Sequence, residues 1–272
     1  MERKKHYDYV FVVLLYRNMT DILDLIKSIQ RNISDYHVIL VNNFYDEATE
    51  KQAEEIAEAI DSCTFLSLEN HGYGAGNNAG ICYAMRHLDY QYVIVCNPDT
   101  IIKSFDSSTL LGMDKEAIYA PKIISRDNKR QNPNWGFHSN ILEYLQYLAC
   151  KKENTFLDYA VIAVLKLIRL VIGYAGDLRL FERIKIGNAH GSFFVISKAA
   201  LLKLTPLFDE KMFLFYEEVY LGNKAYCNKV PVYYTPRILI AHKEDGSMRI
   251  ANVNTRKEAH KSVIYYFEHK GE

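Results

Sequence analysis

Two adjacent carboxylates, Glu217 and Glu218, stand between aromatic and apolar residues in the segment FLFYEEVYL (213–221). Acidic side chains are costly to place in such surroundings unless they have a partner or a task. A carboxylate beside an acceptor hydroxyl can serve as a general base, while its neighbour orients the substrate. A salt-bridged pair at the start of a helix is the structural alternative, and these residues alone leave both interpretations open.

A further carboxylate, Asp99, follows an apolar run in the tetrapeptide NPDT (97–100). The proline ends the run, so Asp99 is expected to project from the end of a strand. A carboxylate there can hold Mg²⁺ or Mn²⁺, which in turn bridges the phosphates of a nucleotide-sugar. An ordinary turn has the same composition. His242 also follows a short apolar strand, but a lone histidine is more often structural than a ligand, so its case depends on its neighbours.

The segment NHGYGAGNNAG (70–80) contains four glycines and three asparagines. A loop of this composition lets backbone N–H groups approach phosphate or ribose oxygens closely. Where such a loop opens a helix, the helix dipole also favours anions. The alternative is a plain tight turn.

Strands and helices alternate along the first hundred residues. The apolar run YVFVVLL (9–15) suits a strand covered on both faces, and a helix with apolar residues at the i, i+3, i+4, i+7 spacing follows it. The pattern repeats, with strands at 37–41, 64–68 and 92–96 and helices at 47–60 and 77–88. This alternation predicts an α/β fold with a doubly wound, mostly parallel sheet. Ligands of such sheets bind outside the carboxyl ends of the strands, where the loops at 16–19, 42–46, 70–77 and 97–100 would lie.

Beyond residue 140 the alternation stops, and two long apolar helices are predicted at 141–149 and 156–175. This is an inserted or accessory helical region. In the second helix Asp158, Lys166 and Arg169 fall within about 80° of one another, which makes one narrow polar stripe on an apolar helix. That pattern favours a helix that lies flat on membrane lipid or binds a lipid-linked acceptor. A core helix or a homodimer interface is the alternative.

The bulk composition excludes some partners and compartments. The 33 basic and 33 acidic side chains leave no global field to attract nucleic acid. The five cysteines form no Cys-x-x-Cys pair, so neither a disulfide framework nor a zinc knuckle is indicated. The charged N-terminus runs directly into an apolar strand and lacks the pattern of a signal peptide. These features predict a cytoplasmic protein, which could rest peripherally on the inner face of the plasma membrane.

Taken in order, these segments resemble family 2 glycosyltransferases of the GT-A fold, especially the rhamnosyltransferase-like branch of bacterial enzymes that build surface polysaccharides. The resemblance covers most of the chain. The matching pieces are LYRN (15–18), VNN (41–43), the glycine-rich segment, NPD (97–99), GSF (191–193), FYEE (215–218), His242 with Gly246 and Ser247, and the tail SVIYYFEHKG (262–271). Each piece is common, but their order is specific.

The resemblance implies a role for each candidate residue. Asp99 stands for the last acid of the family's metal-binding D-x-D element, and His242 is a second metal ligand or a diphosphate contact. Glu217 and Glu218 match the family's Glu-Asp pair, which makes Glu218 the expected base. The residues expected to surround the nucleotide are Tyr16, Asn42, Asn70, Gly72, Gly74, Gly76, Asn77, Asn78 and Asn97.

The implied reaction is transfer of a hexosyl or rhamnosyl group, with inversion, from a UDP-, dTDP- or GDP-sugar to a saccharide or lipid-linked saccharide. The implied cofactor is Mg²⁺ or Mn²⁺. The expected division of the chain is a nucleotide-sugar-binding half at 1–125, a helical insertion at 126–186, and an acceptor and catalytic half at 187–272 that completes the same GT-A domain.

Three positions depart from the family's pattern. Asn42 and Tyr220 each replace an Asp that is usual there, and Lys224 replaces an Arg. These changes put the identity of the substrate in doubt and keep open a non-catalytic GT-A subunit that binds a partner enzyme.

A second alternative is a dinucleotide-binding oxidoreductase, because Gly72, Gly74 and Gly76, followed by Asp99, imitate a dinucleotide fingerprint. In detail the match is poor. The third glycine comes one position early, and the segment follows the third predicted strand rather than the first.

Overall fold

The chain folds around one mixed β-sheet, seen in a computed structural model that describes residues 4–16, 19–111, 114–180, 183–244 and 255–270. The strands are β1 (His6–Leu15), β2 (Tyr36–Asn43), β3 (Cys63–Leu68), β4 (Asp89–Cys96), β5 (Thr100–Phe105), β6 (Ile118–Ser125), β7 (Ile184–Lys185), β8 (Phe193–Ser197) and β9 (Val232–His242). The helices are α1 (Ile22–Asn32), α2 (Glu47–Glu58), α3 (Tyr73–His87), α4 (Ser108–Leu111), α5 (Asn140–Lys151), α6 (Thr155–Asp177), α7 (Lys198–Leu204), α8 (Glu217–Cys227) and α9 (Thr255–His269). Arg17, Asn18, Gly246, Ser247 and Gly271, which contributed to the resemblance, lie outside the described residues.

The sheet has a parallel half and a mixed half. Its strand order is β3-β2-β1-β4-β8-β6-β9-β5, with β7 paired to β9. The first four strands in this order run parallel, whereas β8 is antiparallel to both β4 and β6. Strand β9 then runs parallel to β6 and antiparallel to β5. The predicted α/β fold is confirmed. The direction in which successive strands are added reverses between β1 and β4, and open parallel sheets bind their ligands at such a point.

The apolar run of β1 is explained by two cores, one on each face of the sheet. Val10 and Val12 belong to the core that contains residues of α3. Phe11 and Val13 belong to the opposite core, which contains residues of α1. Alternate side chains of a strand point to opposite faces, so a strand covered on both sides must be apolar throughout.

Helix α3 begins earlier than the sequence predicts. The prediction placed its start near Asn77, but the helix starts at Tyr73, so most of the expected glycine-rich loop is helical. A Cβ at Gly76 would come within 2.3 Å of the Leu14 side chain, and one at Gly80 within 2.6 Å of Val12. These glycines let the helix approach the sheet closely, which offsets their poor helix propensity.

The predicted division of the chain at 125 and 186 stays a prediction. Residues 126–186 do contribute the two long helices α5 and α6. The later strands β8 and β9 pair with β4, β5 and β6, so residues 187–272 complete the sheet that the first range begins.

The helical region forms a third apolar cluster beside the sheet. Trp135, Val161, Leu165 and Val219 pack together there, so α6 and α8 share one core with the loop that carries the single tryptophan. Among the described residues, no helix combines the length and the apolarity needed to cross a membrane.

The sequence does not say which way the polar stripe of α6 faces, and in the structure two of its three residues face the protein. Asp158 is buried and accepts a hydrogen bond from Arg256 at 3.0 Å. Arg169 donates to the backbone oxygen of Pro133 at 3.0 Å. Both charges therefore face the protein, and only Lys166 is exposed.

Candidate active site

The carboxyl ends of β1 and β2 carry the first candidate residues. Tyr16 is half-buried, and its ring makes an edge contact with Tyr45, with centroids 5.9 Å apart. Asn42 is buried and donates to the Ser67 hydroxyl at 3.3 Å. Its neighbour Asn43 is buried as well, and its side-chain oxygen has no hydrogen-bond partner among the described residues.

The turn before α3 brings the glycine-rich segment against the acidic segment. Gly72 has a φ of +99°, and a Cβ there would lie 2.5 Å from the backbone oxygen of Phe213. The Asn70 side chain accepts from the Gly72 N–H at 3.0 Å, and the Tyr73 N–H donates to Phe213 at 3.0 Å. Only glycine tolerates both this conformation and this approach. The N-terminus of α3 is thus fixed to the chain that leads into Glu217.

The remaining candidates in α3 are buried. Gly74 lies against Phe208. Asn78 is engaged with the same residue, donating to its backbone oxygen at 2.9 Å and accepting from its N–H at 3.2 Å. Asn77 is fully buried and donates to Tyr73, while its side-chain oxygen has no partner among the described residues. Gly74, Gly76 and Asn78 thus join helix to sheet and helix to loop, and their role at the phosphates stays a prediction.

Residues 190–192 form the turn that links the separate parts of the site. The Asn97 N–H, at the end of β4, donates to the Ser192 backbone oxygen at 2.9 Å. The Tyr73 hydroxyl donates to the Gly191 backbone oxygen at 2.8 Å, and the Gly191 N–H donates to Glu218 at 3.2 Å. Strand β4, the start of α3 and the acidic pair therefore meet at one turn.

Asp99 and His242 lie together at this edge, as the sequence proposed. Both are buried, and the His242 Nε2 is 3.3 Å from the Asp99 carboxylate. The His242 Nδ1 is 2.8 Å from Gln131 Oε1, and the Gln131 amide nitrogen donates to Glu244 at 2.6 Å. Because a carboxylate can only accept from this amide, Glu244 fixes its orientation and leaves its oxygen facing His242.

This chain of hydrogen bonds fixes the tautomer of His242. Its Nδ1 must carry the proton, because Gln131 presents only an oxygen to it. A neutral ring would then aim the Nε2 lone pair at the Asp99 carboxylate, and two acceptors in contact repel each other. The pair is favourable when a cation lies between the two atoms, either a proton or a metal ion. A histidine whose other nitrogen donates to a fixed acceptor is the usual arrangement of a metal ligand.

The acidic pair begins α8 after two residues in strained backbone. Phe215 and Tyr216 have φ values of 69° and 72°, which non-glycine residues rarely adopt. Such residues cost about 1–3 kcal/mol each and cluster at functional sites. The strained turn sets Glu217 and Glu218 at the positive end of the α8 dipole, which favours their ionised forms.

The environments of the two carboxylates differ. Burial, then the charge of Glu218, raises the pKa of Glu217, and its Oε1 has no hydrogen-bond partner among the described residues. Burial also raises the pKa of Glu218, but the Gly191 N–H donates to its carboxylate and favours the ionised form. Burial without a hydrogen-bond partner thus favours the protonated form of Glu217, and the Gly191 N–H favours the ionised form of Glu218.

His190 is a site residue that the sequence did not single out. The Ser192 N–H donates to its Nδ1 at 3.1 Å, so the ring proton is on Nε2. Burial, then His242 and Arg169, lowers the pKa of His190 to about 3, and the ring is therefore neutral. Its ring centroid is 6.0 Å from that of His242. Gln131 was missed as well, and the only sequence signal for His190 was its place beside the Gly191-Ser192 match.

The three departures from the family pattern have local partners. Asn42 contacts Ser67, as described above. Tyr220 is half-buried against Tyr266, with ring centroids 6.3 Å apart. The Lys224 ammonium lies over the Tyr220 ring and donates to the Pro206 backbone oxygen.

Comparison with known proteins gives both the family and the fold. The model of the family described as Glycosyl transferase family 2 matches residues 10–204. The low-salt glycan biosynthesis hexosyltransferase Agl10 of Haloferax volcanii is 24% identical over 215 residues, which are 78% of this chain and 59% of that protein. This chain therefore spans about three fifths of the relative's length.

Two solved structures show the same fold at low sequence identity. A crystal structure of GalNAc-T7 with UDP, GalNAc and Mn²⁺ has a TM-score of 0.58 at 12% identity, over 89% of this chain and 44% of that one. Residues 1–349 of TarS from S. aureus have a TM-score of 0.53 at 13% identity, over 97% of this chain and 71% of that one. The predicted GT-A fold is confirmed, and the oxidoreductase alternative is wrong. The family match extends over well more than half of the chain, and the protein accordingly belongs to glycosyl transferase family 2.

Proposed function

We propose that this glycosyltransferase moves a hexosyl group from a nucleoside-diphosphate sugar to a hydroxyl of a saccharide or lipid-linked saccharide, with inversion. The observation that carries the proposal is the turn 190–192, because it joins the ionised carboxylate of Glu218 to the edge that holds Asp99 and His242. A hexosyltransferase among the relatives supports the class of sugar. The rhamnosyltransferase-like branch, a surface-polysaccharide product and a cytoplasmic location stay predictions.

Glu218 is proposed as the general base. Its carboxylate takes the proton from the acceptor hydroxyl as the hydroxyl oxygen attacks the anomeric carbon. The bond from that carbon to the diphosphate breaks on the opposite face, so the anomeric configuration inverts. Glu217, protonated, keeps a second negative charge away from the base. Burial raises the pKa of Glu218, which brings the base closer to neutral pH.

Asp99 and His242 are proposed to hold Mg²⁺ or Mn²⁺. The donor set fits, because a carboxylate and an imidazole lone pair face each other and a cation removes their repulsion. The ion, when bound, offsets the negative charge that develops on the leaving diphosphate. Few protein ligands are needed, since Mg²⁺ is commonly held by one or two carboxylates together with substrate phosphates.

The donor is proposed to lie across the ends of β1, β2 and β4. Tyr16 and Tyr45 offer aromatic faces for the nucleobase. Asn42, Asn70, Gly72, Asn77 and Asn97 are proposed to line the ribose and phosphate positions. For Asn77 the support is a buried side-chain oxygen that lacks a protein partner among the described residues.

The test separates binding from transfer. A thermal-shift screen of UDP, dTDP, GDP and their sugars, with and without Mn²⁺, identifies the donor because a bound ligand raises the melting temperature. With that donor, Glu218→Gln should keep Mn²⁺-dependent binding and lose transfer by at least about a hundredfold, as removal of a general base does. Asp99→Asn should lose the Mn²⁺ dependence of binding. Glu116→Gln, a carboxylate paired with Lys203 away from the site, is the matched control.

Two outcomes would contradict the proposal. Transfer by Glu218→Gln at the wild-type rate would remove that residue from its role as the base. Absence of both transfer and sugar-nucleotide hydrolysis in the wild-type protein, together with a stable complex with another enzyme, would favour the non-catalytic subunit.

A further inference from the structure

The outer face of α6 is apolar over its whole length. Its exposed side chains are those of Phe156, Tyr159, Val164, Leu167, Leu170, Val171 and Tyr174, with exposed fractions of 44–85%. At 100° per residue they form one continuous stripe, which extends about 27 Å along the helix axis. Isolated exposed apolar residues are common on proteins, but a contiguous stripe of this size marks an interaction surface.

The charged residues of α6 show that this orientation is built into the fold. Asp158 and Arg169 point inward, where Asp158 binds Arg256 and Arg169 binds backbone oxygens of the 130–134 loop. Gly176 packs against the Tyr234 ring at a separation that no larger residue would allow. The helix therefore cannot turn its apolar stripe inward without breaking buried polar contacts and overlapping Tyr234.

The charges that border the stripe are mainly cationic. Lys152 and Glu153 precede the helix, Lys166 lies at one edge of the stripe halfway along the helix, and Arg179 follows the C-terminal end; all four are exposed. Among the described residues, the acid at the C-terminal end of the helix is Asp177, and it is paired with Arg130 and Lys122. An apolar stripe edged by cations suits a lipid surface that carries negative charge, because the cations can reach the headgroups while the apolar side chains enter the lipid.

A second copy of this chain is a poorer match for the same face. In a two-fold antiparallel pairing, the two Lys166 side chains would meet at the same edge, because Lys166 is the midpoint of α6. In a parallel pairing, Lys152 and Arg179 would each lie beside their own copies. The face therefore does not complement itself in charge.

We propose that the exposed face of α6 rests on the surface of an anionic lipid bilayer. The opposite face of α6 packs on the site itself: Arg169 binds the 130–134 loop, and Asn132 of that loop accepts the His190 N–H at 2.8 Å. Membrane contact would thus hold the 190–192 turn one layer of protein away from the lipid. The inference does not depend on the proposed reaction, since lipid binding needs no donor and no metal.

The test is co-sedimentation of the full chain with vesicles of phosphatidylcholine alone or mixed with 30% phosphatidylglycerol. The wild-type protein should bind the mixed vesicles and bind the neutral ones several-fold more weakly. Leu167→Glu should bind at least tenfold more weakly to both, and Lys166→Glu should lose mainly the preference for the anionic lipid. Leu202→Glu is the matched control, because Leu202 is 59% exposed on α7 and lies outside the stripe. Emission from the single tryptophan, which is buried, verifies folding of each variant.

Three results would overturn the proposal: no binding of the wild-type protein to anionic vesicles, equal binding by Leu167→Glu, or equal loss of binding in Leu202→Glu. Sedimentation velocity without lipid tests whether a second copy of this chain occupies the face instead. A dimer that Leu167→Glu converts to monomer, in a protein that does not bind vesicles, would assign the face to a second copy of the chain.

Discussion

Replacing Gln131 by leucine tests the proposed metal site without removing a ligand. Gln131 is buried, and among the described residues its side-chain oxygen is the acceptor for the His242 Nδ1–H. Leucine has a similar size but cannot accept a hydrogen bond. The ring would lose the contact that fixes its Nε2 lone pair toward Asp99.

The magnitude follows from the geometry of that contact. The 2.8 Å hydrogen bond lies in a buried place, and an unsatisfied buried donor costs about 1–3 kcal/mol. Metal binding requires this tautomer, so the cost falls on the metal-bound state. A factor of ten corresponds to about 1.4 kcal/mol, so Mn²⁺ affinity should drop by roughly 5- to 150-fold. This range agrees with the usual effect of about 10- to 100-fold for residues that orient a metal ligand.

The assay is titration of Mn²⁺ into protein saturated with the nucleoside diphosphate found by the screen, followed by the paramagnetic resonance signal of free Mn²⁺. Gln91→Leu is the control, because Gln91 is an exposed residue that donates to Asp8. Wild-type Mn²⁺ affinity in Gln131→Leu, with affinity lost in Asp99→Asn, would show that His242 does not bind the metal. Equal loss in Gln91→Leu would indicate a general defect in folding.

Three further predictions concern stability. Burial raises the pKa of Glu217, so the contribution of Glu217 to stability is present at pH values below its unfolded pKa and is lost as the pH rises through its folded pKa. Glu217→Gln should therefore raise the melting temperature by about 2–4 °C at pH 8 and by less at pH 4.5. A larger gain at pH 4.5 than at pH 8 would contradict this pH dependence. Gly80→Ala should destabilise the protein by about 1–3 kcal/mol in urea, because its Cβ would lie 2.6 Å from Val12, and a stabilised variant would show that α3 can move off the sheet. Asp46→Ala should lower the free energy of unfolding by about 1 kcal/mol in the same measurement, because the Asp46 carboxylate accepts from the Thr49 N–H at 2.8 Å and caps α2. An unchanged urea midpoint would mean that the cap contributes nothing.

The sequence by itself determined the α/β architecture and the edge where the candidate site lies. Continuous apolar strands such as β1 need cover on both faces, and only helices between parallel strands supply it. The proline after Asn97 ended β4 and fixed Asp99 at its carboxyl end. These conclusions depend on periodicity and local backbone chemistry, and residues close together in the chain determine both.

Only the tertiary structure decided the role of the glycine-rich segment. Glycine weakens an isolated helix, so local propensity favoured a loop through Gly76. In the folded protein α3 packs closely on β1 and β2, whose side chains leave no room for a Cβ atom at Gly76 or Gly80. Glycine is therefore favoured at both helical positions. Packing between elements overrides local preference whenever burial is worth more than the propensity that it costs.

The orientation of α6 and the partners of His242 were also beyond the sequence. Periodicity places Asp158 and Arg169 on one side of the helix, but it does not say whether that side meets water or the protein. Gln131 is 111 positions from His242, and Gly191 is 27 positions from Glu218. Spacing within a strand or helix can be read from the chain, but contacts across such distances exist only after the sheet has ordered its strands.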